Sequence, residues 1–261
     1  MKKTTFAVIV GNRDFFPGEL CLAGRQNVLD VLADEGFNAI SLDTNATEYG
    51  SVKTYEDSVK CAELLRENRD TIDGIIITLP NFGDEKAVVG AIRMSGLRVP
   101  ILVHAYPDEL DQMDPSNRRD SFCGKMSVCN NLRQYGFKYS LTDLHTVDPK
   151  SAEFRSDLHR FAAICRITDG LPKMRIGLVG ARPAAFNTVR FSEKLLEANG
   201  ISVEPVDLLE IVGAAEKLDD ASQEISSKLQ SIEAYISTAK VPENALLRVA
   251  KFGVALDDWM S

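Results

Sequence analysis

The sequence predicts an α/β protein with two doubly wound, Rossmann-like parallel-sheet domains, the second of them incomplete. Two observations predict this class. Short β-branched runs alternate with amphipathic, helix-like stretches from the N-terminus onward, and the same alternation starts again near residue 175. Strands that follow helices this regularly lie parallel, with right-handed crossovers and helices on both faces of the sheet.

The first predicted domain covers residues 1–172. Apolar runs predict its strands, and apolar residues at three- and four-residue spacing predict its helices. In chain order we expect a strand at 6–10, a helix at 20–35, a strand at 39–42, a helix at 55–68, a strand at 74–79, a helix at 85–95, a strand at 100–104, and helices at 121–134 and 151–167. Gly36, Gly96 and Gly136 follow three helices at the position where a left-handed residue ends a helix. We expect one complete, parallel, five-stranded sheet.

The second predicted domain covers residues 173–261 and begins after the helix-breaking segment 169–172. Its elements are predicted as a strand at 175–180, a helix at 186–199, a strand at 202–206, and helices at 208–218, 221–237 and 242–259. Two parallel strands bury too little surface to stand alone. We therefore expect that more chain belongs to this domain and that the last helix lacks part of its cover.

Composition excludes several classes of protein. The net charge of -8 argues against a general affinity for nucleic acid, because phosphate binding favours a basic surface. No apolar run approaches the roughly 20 residues that a membrane-spanning helix needs. The apolar stretch 6–10 is too short for a signal peptide, so a cytoplasmic location with five reduced cysteines is expected.

Polar and aromatic residues follow three of the predicted strands. Asn12 and Arg13 come after the first strand, Phe82 after the third and Tyr106 after the fourth. Ligands of open parallel sheets collect at the carboxyl ends of the strands. Sugars bind where directed hydrogen bonds lie beside an aromatic face, so these four residues are candidate ligands of a small-molecule sugar. The alternative is that the aromatic residues only cap the sheet edge.

A dinucleotide site is a weaker interpretation. Gly177 and Gly180 lie between a strand and a helix, but the G-x-G-x-x-G spacing that lets the backbone approach a pyrophosphate is absent. Asp207 ends the next strand and is expected to cap the helix that follows it.

The segment 117–125 is basic within an acidic protein. A salt-bridge cluster is the simpler interpretation. The alternative is an anion site at the N-terminus of the helix that begins there, with Asp120 or Ser121 as its cap.

Longer strings resemble a known family. Residues 175–187 (RIGLVGARPAAFN), 191–196 (FSEKLL) and 203–207 (VEPVD) are similar to the second domain of L-fucose isomerase-like proteins, a group that includes L-arabinose isomerases. Residues 10–17 (VGNRDFFP), 79–83 (LPNFG) and 118–125 (RRDSFCGK) resemble first-domain signatures of the same group. The resemblance covers essentially the whole chain.

The resemblance implies a metal-dependent aldose–ketose (ketol) isomerase that acts through a cis-enediol. It implies that Mn²⁺ is held by Glu, Asp and His of a third domain, beyond this chain, so this chain alone is expected to bind no metal and to be inactive. It also implies a homo-oligomer in which the first domain forms one wall of a neighbouring subunit's pocket. An arginine and an aromatic residue, often tryptophan, form that wall, and they match Arg13 and Phe82.

The rival hypothesis is a stand-alone sugar-binding or regulatory module that uses the cleft between its two lobes. Two α/β lobes are typical of such modules, but their sheets are complete. The intact mass of the native protein discriminates between the hypotheses, since 28.7 kDa supports the module and a larger mass supports the isomerase.

Overall fold

The structure is a computed structural model that describes residues 3–114 and 117–261. The chain divides into two compact units, of which the first ends at Gly170 and the second comprises Leu171–Ser261. No helix among the described residues is long and apolar enough to cross a lipid bilayer.

The first unit alternates strands and helices, as predicted. Its elements are β1 (Thr5–Gly11), α1 (Glu19–Asp34), β2 (Asn38–Ser41), β3 (Ser51–Val52), α2 (Tyr55–Glu67), β4 (Gly74–Leu79), α3 (Glu85–Ser95), β5 (Ile101–Ala105), α4 (Ser121–Gln134), β6 (Ser140–Leu141) and α5 (Ala152–Gly170). The glycines after α1, α3 and α4 all have positive φ, between 71° and 80°, which is the helix-ending conformation that the sequence predicts.

In the described residues the sheet has six strands rather than the predicted five, and every pairing is parallel. The order is β2-β1-β4-β5-β6, and β3 pairs with the end of β1. The strands β3 and β6 are two residues long, too short to show a periodic pattern. The predicted α/β class with a parallel sheet is confirmed.

The strand order places a topological switch point between β1 and β4. From β1 the chain first adds β2 on one side and later adds β4 on the other side. In open α/β sheets a crevice forms at such a point, outside the carboxyl ends of the strands. The loops that follow β1 and β4 therefore flank the position where a ligand is expected.

Apolar side chains cover both faces of this sheet. Every residue of β1, β4 and β5 is buried, which is typical of central strands with helices on both sides. One core cluster contains Ile75 and Ile77 with side chains of α2, α3 and α4, and the other contains Ile76 with side chains of α1 and α5. The two clusters fix the strands that position the edge loops.

His104 is a buried polar residue of β5. Its Nε2 lies 2.8 Å from the carbonyl oxygen of Val147, and its Nδ1 lies 2.9 Å from the hydroxyl of Thr78. Burial lowers the pKa of His104 to about 4. The ring is therefore neutral, so that Nε2–H donates to Val147 and Nδ1 accepts from Thr78.

We expect His104 to make unfolding dependent on pH. The unfolded chain, with a histidine pKa near 6.5, binds the proton more readily than the folded chain. Stability therefore falls as pH decreases from about 6.5 to 4, by up to about 3 kcal/mol from this group. Urea unfolding of the wild type and of His104→Gln, at pH 7, 6, 5 and 4, measures the effect. Identical pH dependence in both proteins would contradict it.

The second unit has a two-stranded parallel sheet among its described residues. Its elements are β7 (Arg175–Val179), α6 (Glu193–Glu197), β8 (Ser202–Val206), α7 (Leu208–Lys217), α8 (Gln223–Tyr235) and α9 (Glu243–Met260). Asp207 accepts a hydrogen bond from the backbone N–H of Leu209, at 2.8 Å, so its predicted role as a helix cap is confirmed.

The predicted helix at 186–199 is wrong. The structure has a short 3-10 turn at Asn187–Val189 and then the five-residue helix α6. Ser192 accepts a hydrogen bond from the backbone N–H of Leu195 and starts α6 as an N-cap. The apolar residues behind that prediction, such as Phe186, are more than half exposed and give the segment no apolar face to pack.

The helix α9 packs one apolar face on the second unit, where Phe252, Leu256 and Trp259 are partly buried against a core cluster. Ala250, Val254 and Ala255 are its buried residues, whereas Val249 is exposed. The ring of Trp259 lies against Gly177, where a side chain starting with a Cβ atom would approach the ring to 2.5 Å. Glycine in β7 is what lets this ring reach the sheet.

Candidate functional site

The two residues predicted to form the sugar wall lie together at the carboxyl edge of the sheet. Arg13 follows β1 and Phe82 follows β4, so they flank the switch point. The guanidinium carbon of Arg13 lies 4.7 Å from the centroid of the Phe82 ring. A cation–π contact of this kind orients the charged group on the aromatic surface.

Glu85 forms an ion pair with Arg13. The Nη1 atom of Arg13 donates to Oε2 of Glu85 at 3.0 Å, and both side chains are partly exposed. Glu85 is the first residue of α3, three residues after Phe82. The short loop between β4 and α3 therefore supplies both groups that orient Arg13.

Phe16 extends the aromatic surface. Its ring stacks on Phe82 with a centroid distance of 5.4 Å and an interplanar angle of 28°. The guanidinium carbon of Arg118 lies 5.9 Å from the centroid of the Phe16 ring. Two stacked rings are thus each contacted by an arginine, and we call Arg13, Phe82, Phe16 and Arg118 the edge cluster.

Phe15 lies next to the edge cluster in a strained conformation. Its φ angle is 85°, in the left-handed region that residues other than glycine rarely adopt. The side chain is 81% exposed and makes an edge contact with Phe16 at 5.9 Å. Backbone strain of this kind is concentrated at functional sites in proteins.

Asn12 lies beneath the edge. Its side chain is buried, with Nδ2 donating to the Ser51 hydroxyl at 3.2 Å and Oδ1 accepting from Asn81 at 2.9 Å. Asn81 is fully buried, and its amide also donates to the Pro17 carbonyl and accepts from the Gly83 backbone N–H. Both polar atoms of the Asn12 side chain are therefore hydrogen-bonded to other segments of the edge.

Tyr106 is also buried beneath the edge. Its hydroxyl donates to the carbonyl oxygen of Gly24 at 2.8 Å, and the guanidinium carbon of Arg119 lies 5.2 Å from its ring centroid. Burial raises the pKa of Tyr106 well above its ordinary value. In this arrangement Tyr106 supports Arg119 and α1.

The basic segment 117–125 forms ion pairs and backbone contacts. Arg118 lies 3.1 Å from Asp120, and Arg119 donates to the Pro80 carbonyl at 3.0 Å and to Glu109 at 3.3 Å. Asp120 lies at the N-cap position of α4 with a φ of 48°, but its side chain makes no capping hydrogen bond. The ion pairs agree with the salt-bridge interpretation of this segment, whereas Asp120, one of the two residues of the alternative, does not cap through its side chain because its carboxylate pairs with Arg118.

Lys125 is a buried cation of α4 that the sequence did not single out. Its ammonium group donates to the Thr142 hydroxyl at 2.7 Å and to the His145 carbonyl at 2.8 Å. Burial lowers the pKa of Lys125 to about 8. These two bonds hold the loop after β6 on α4.

The described residues do not fit a divalent metal ion. Across 3–114 and 117–261, no group of three or more His, Cys, Asp or Glu side chains could hold a metal. A groove of about 840 Å³ belongs to the second unit and lies between α7 and α9. Its lining includes Val212, Leu247 and Phe252.

The first unit is an α/β domain with a parallel sheet, and aromatic and polar groups lie at its switch point. Comparison of the sequence with known protein families identifies the family of this domain. The family model of the fucose/sulfoquinovose isomerase N-terminal domain matches residues 7–172, and the chain belongs to this family. The resemblance to this family that the sequence shows is confirmed over residues 7–172. No curated protein matches the chain.

Proposed function

We propose that the chain is the N-terminal portion of an aldose–ketose isomerase and that the edge cluster is a wall of its sugar site. The contact between Arg13 and Phe82 at the switch point carries this proposal. The Arg13 guanidinium and the Phe82 ring supply the two components of sugar recognition. The guanidinium donates directed hydrogen bonds, and the ring packs on the C–H face of the sugar.

The chemical step needs groups outside the edge cluster. Moving a proton between C1 and C2 through a cis-enediol requires a base beside the substrate carbon and an electrophile at the carbonyl. The two carboxylates that contact the cluster are both paired, Glu85 with Arg13 and Asp120 with Arg118. The edge cluster would therefore bind and orient the sugar, and the base would come from another part of the enzyme.

We further propose that the electrophile is Mn²⁺, held by residues outside those described. The family description, which names an N-terminal domain, supports a division of labour between domains. We also propose a homo-oligomer in the cytoplasm, in which the edge cluster of one subunit faces the pocket of another. The exposed, strained Phe15 beside the cluster supports such a contact.

A neutral sugar is the substrate class that this edge favours. Each of its three arginines faces a carboxylate: Arg13 pairs with Glu85, Arg118 with Asp120, and Arg119 with Glu109. A sulfonate or phosphate would compete with these carboxylates for the same guanidinium groups. We therefore propose an aldose such as fucose in preference to a sulfonated sugar such as sulfoquinovose.

The proposal is tested on the protein expressed from its complete gene. We expect an intact mass above 28.7 kDa, conversion of L-fucose to the ketose in the presence of Mn²⁺, and loss of the conversion with a chelator. The activity on sulfoquinovose should be lower than on L-fucose. A native mass of 28.7 kDa with sugar binding but no conversion would instead support the rival, a stand-alone sugar-binding module.

A further inference from the structure

The turn that carries Phe82 is packed against three glycines. Pro80, Asn81, Phe82 and Gly83 form this turn between β4 and α3. On one side, a Cβ atom at Gly24 of α1 would lie 2.5 Å from the Pro80 ring. On another side, a Cβ atom at Gly11 would lie 2.5 Å from Leu79 and 3.4 Å from the Gly83 backbone.

The third contact is the tightest and involves backbone alone. A Cβ atom at Gly124 would lie 1.7 Å from the carbonyl oxygen of Phe82 and 2.5 Å from its carbonyl carbon. A flexible side chain can move away from such an atom, but a backbone carbonyl moves only with its chain. Since favourable contacts begin above about 3.4 Å, the backbone of Phe82 or α4 would have to shift by more than about 1 Å.

Glycine at this position is otherwise unfavourable. Gly124 lies in the first turn of α4, where alanine stabilises a helix better than glycine does. Gly90 of α3 provides the comparison, because a Cβ atom there would meet nothing closer than 3.7 Å. The approach of Phe82 is thus the feature of the structure that requires a glycine at residue 124.

Hydrogen bonds fix the segment before α4 and thereby the close contact between Gly124 and Phe82. Asp108 accepts hydrogen bonds from the backbone N–H groups of Arg119 and Asp120, at 3.0 and 3.1 Å. Arg119 in turn donates to the carbonyl of Pro80 at 3.0 Å. The same segment therefore contacts the turn twice, once through Arg119 and once through Gly124.

We infer that Gly124 is a positioning residue that sets the location of the Phe82 ring in the sugar wall. It acts through the main chain of Phe82 and does not touch the sugar. Its link to catalysis rests on the proposed function, whereas its control of the ring position does not. A displacement near 1 Å at a site that orients substrate is enough to weaken catalysis strongly.

The position of the ring is tested on the 261-residue chain with ¹³C-labelled phenylalanine. The Phe82 ring resonances are assigned with Phe82→Leu. Gly124→Ala is expected to shift the Phe82 and Phe16 resonances and to lower the melting temperature. Gly90→Ala, the matched control, is expected to leave the resonances in place and not to lower the melting temperature. Equal behaviour of the two variants would overturn the inference.

If Gly124→Ala does not fold, a second variant tests the same inference. Arg119→Gln removes the bond to Pro80 without adding an atom to the turn, and it too is expected to shift the Phe82 resonances. Unchanged resonances in this folded variant would show that the α4 segment does not position the ring.

Kinetics of the protein expressed from its complete gene separate this inference from the proposed function. With L-fucose, Gly124→Ala is expected to raise KM about tenfold and to change kcat less. If Phe82→Ala raises KM and Gly124→Ala moves the ring but does not raise KM, the positioning role is overturned. If Phe82→Ala has no effect on KM, the proposed function fails, and the resonance shifts alone decide the role of Gly124.

Discussion

Replacing Asn81 with alanine is expected to lower the free energy of unfolding of the first unit by about 3 kcal/mol. The amide of Asn81 is fully buried and joins Asn12, the Pro17 carbonyl and the Gly83 backbone N–H. Alanine removes these three bonds, although Asn12 keeps its bond to Ser51, and each buried group left unsatisfied destabilises a protein by roughly 1–3 kcal/mol. Urea unfolding measures the loss.

Asn130→Ala is the matched control for Asn81→Ala. Asn130 is exposed on α4 and accepts one long hydrogen bond, 3.4 Å, from Gln134. Its replacement is expected to change the free energy of unfolding by less than about 0.5 kcal/mol. Similar losses in the two variants would show that the loops do not depend on the buried amide.

Phe82→Ala is expected to lower kcat/KM for the sugar by about 10- to 100-fold, which corresponds to roughly 1.4–2.8 kcal/mol of lost interaction. The ring contacts both Arg13 and Phe16, so its loss removes the packing surface and releases the guanidinium. Because the ring packs on the sugar before and during reaction, most of the effect should fall on KM. Steady-state kinetics of the protein expressed from its complete gene measure the split.

Two further variants serve as comparisons for Phe82→Ala. Phe82→Trp keeps an aromatic surface and is expected to stay within a few-fold of the wild type. Phe122→Ala removes a comparable ring that lies outside the edge cluster, stacked on His145 at 5.2 Å, and is expected to leave kcat/KM unchanged. If Phe122→Ala reduced kcat/KM as much as Phe82→Ala, the wall would not be specific to the edge cluster.

Elements with strong periodic patterns could be predicted from the sequence. The strand at 74–79 and the helices at 85–95 and 121–134 have the predicted bounds, because buried apolar runs and caps define them locally. The strands β3 and β6 have no predicted range, because two residues are too few to show a pattern. The helix at 186–199 was predicted from apolar spacing, but tertiary packing does not bury that face.

The location of Arg13 and Phe82 could also be predicted, because the carboxyl ends of parallel strands meet at one edge. The roles of Asn81, Phe16 and Gly124 could not. Each depends on contacts between segments far apart in sequence, such as the bond between Asn81 and Asn12, 69 residues away. Periodicity and motif spacing carry no information about such contacts, so only the folded arrangement reveals that a glycine of α4 faces Phe82.

The kinetics of Arg13→Gln on the protein expressed from its complete gene test the central claim most directly. Arg13 loses its charge in this variant, and charge-assisted hydrogen bonds contribute roughly 1.5–3 kcal/mol. We expect kcat/KM for L-fucose to fall about 10- to 100-fold. Arg93→Gln removes an exposed arginine, 5.5 Å from the Tyr135 ring, and serves as control. Wild-type kcat/KM in Arg13→Gln would contradict the assignment of this edge as the sugar wall.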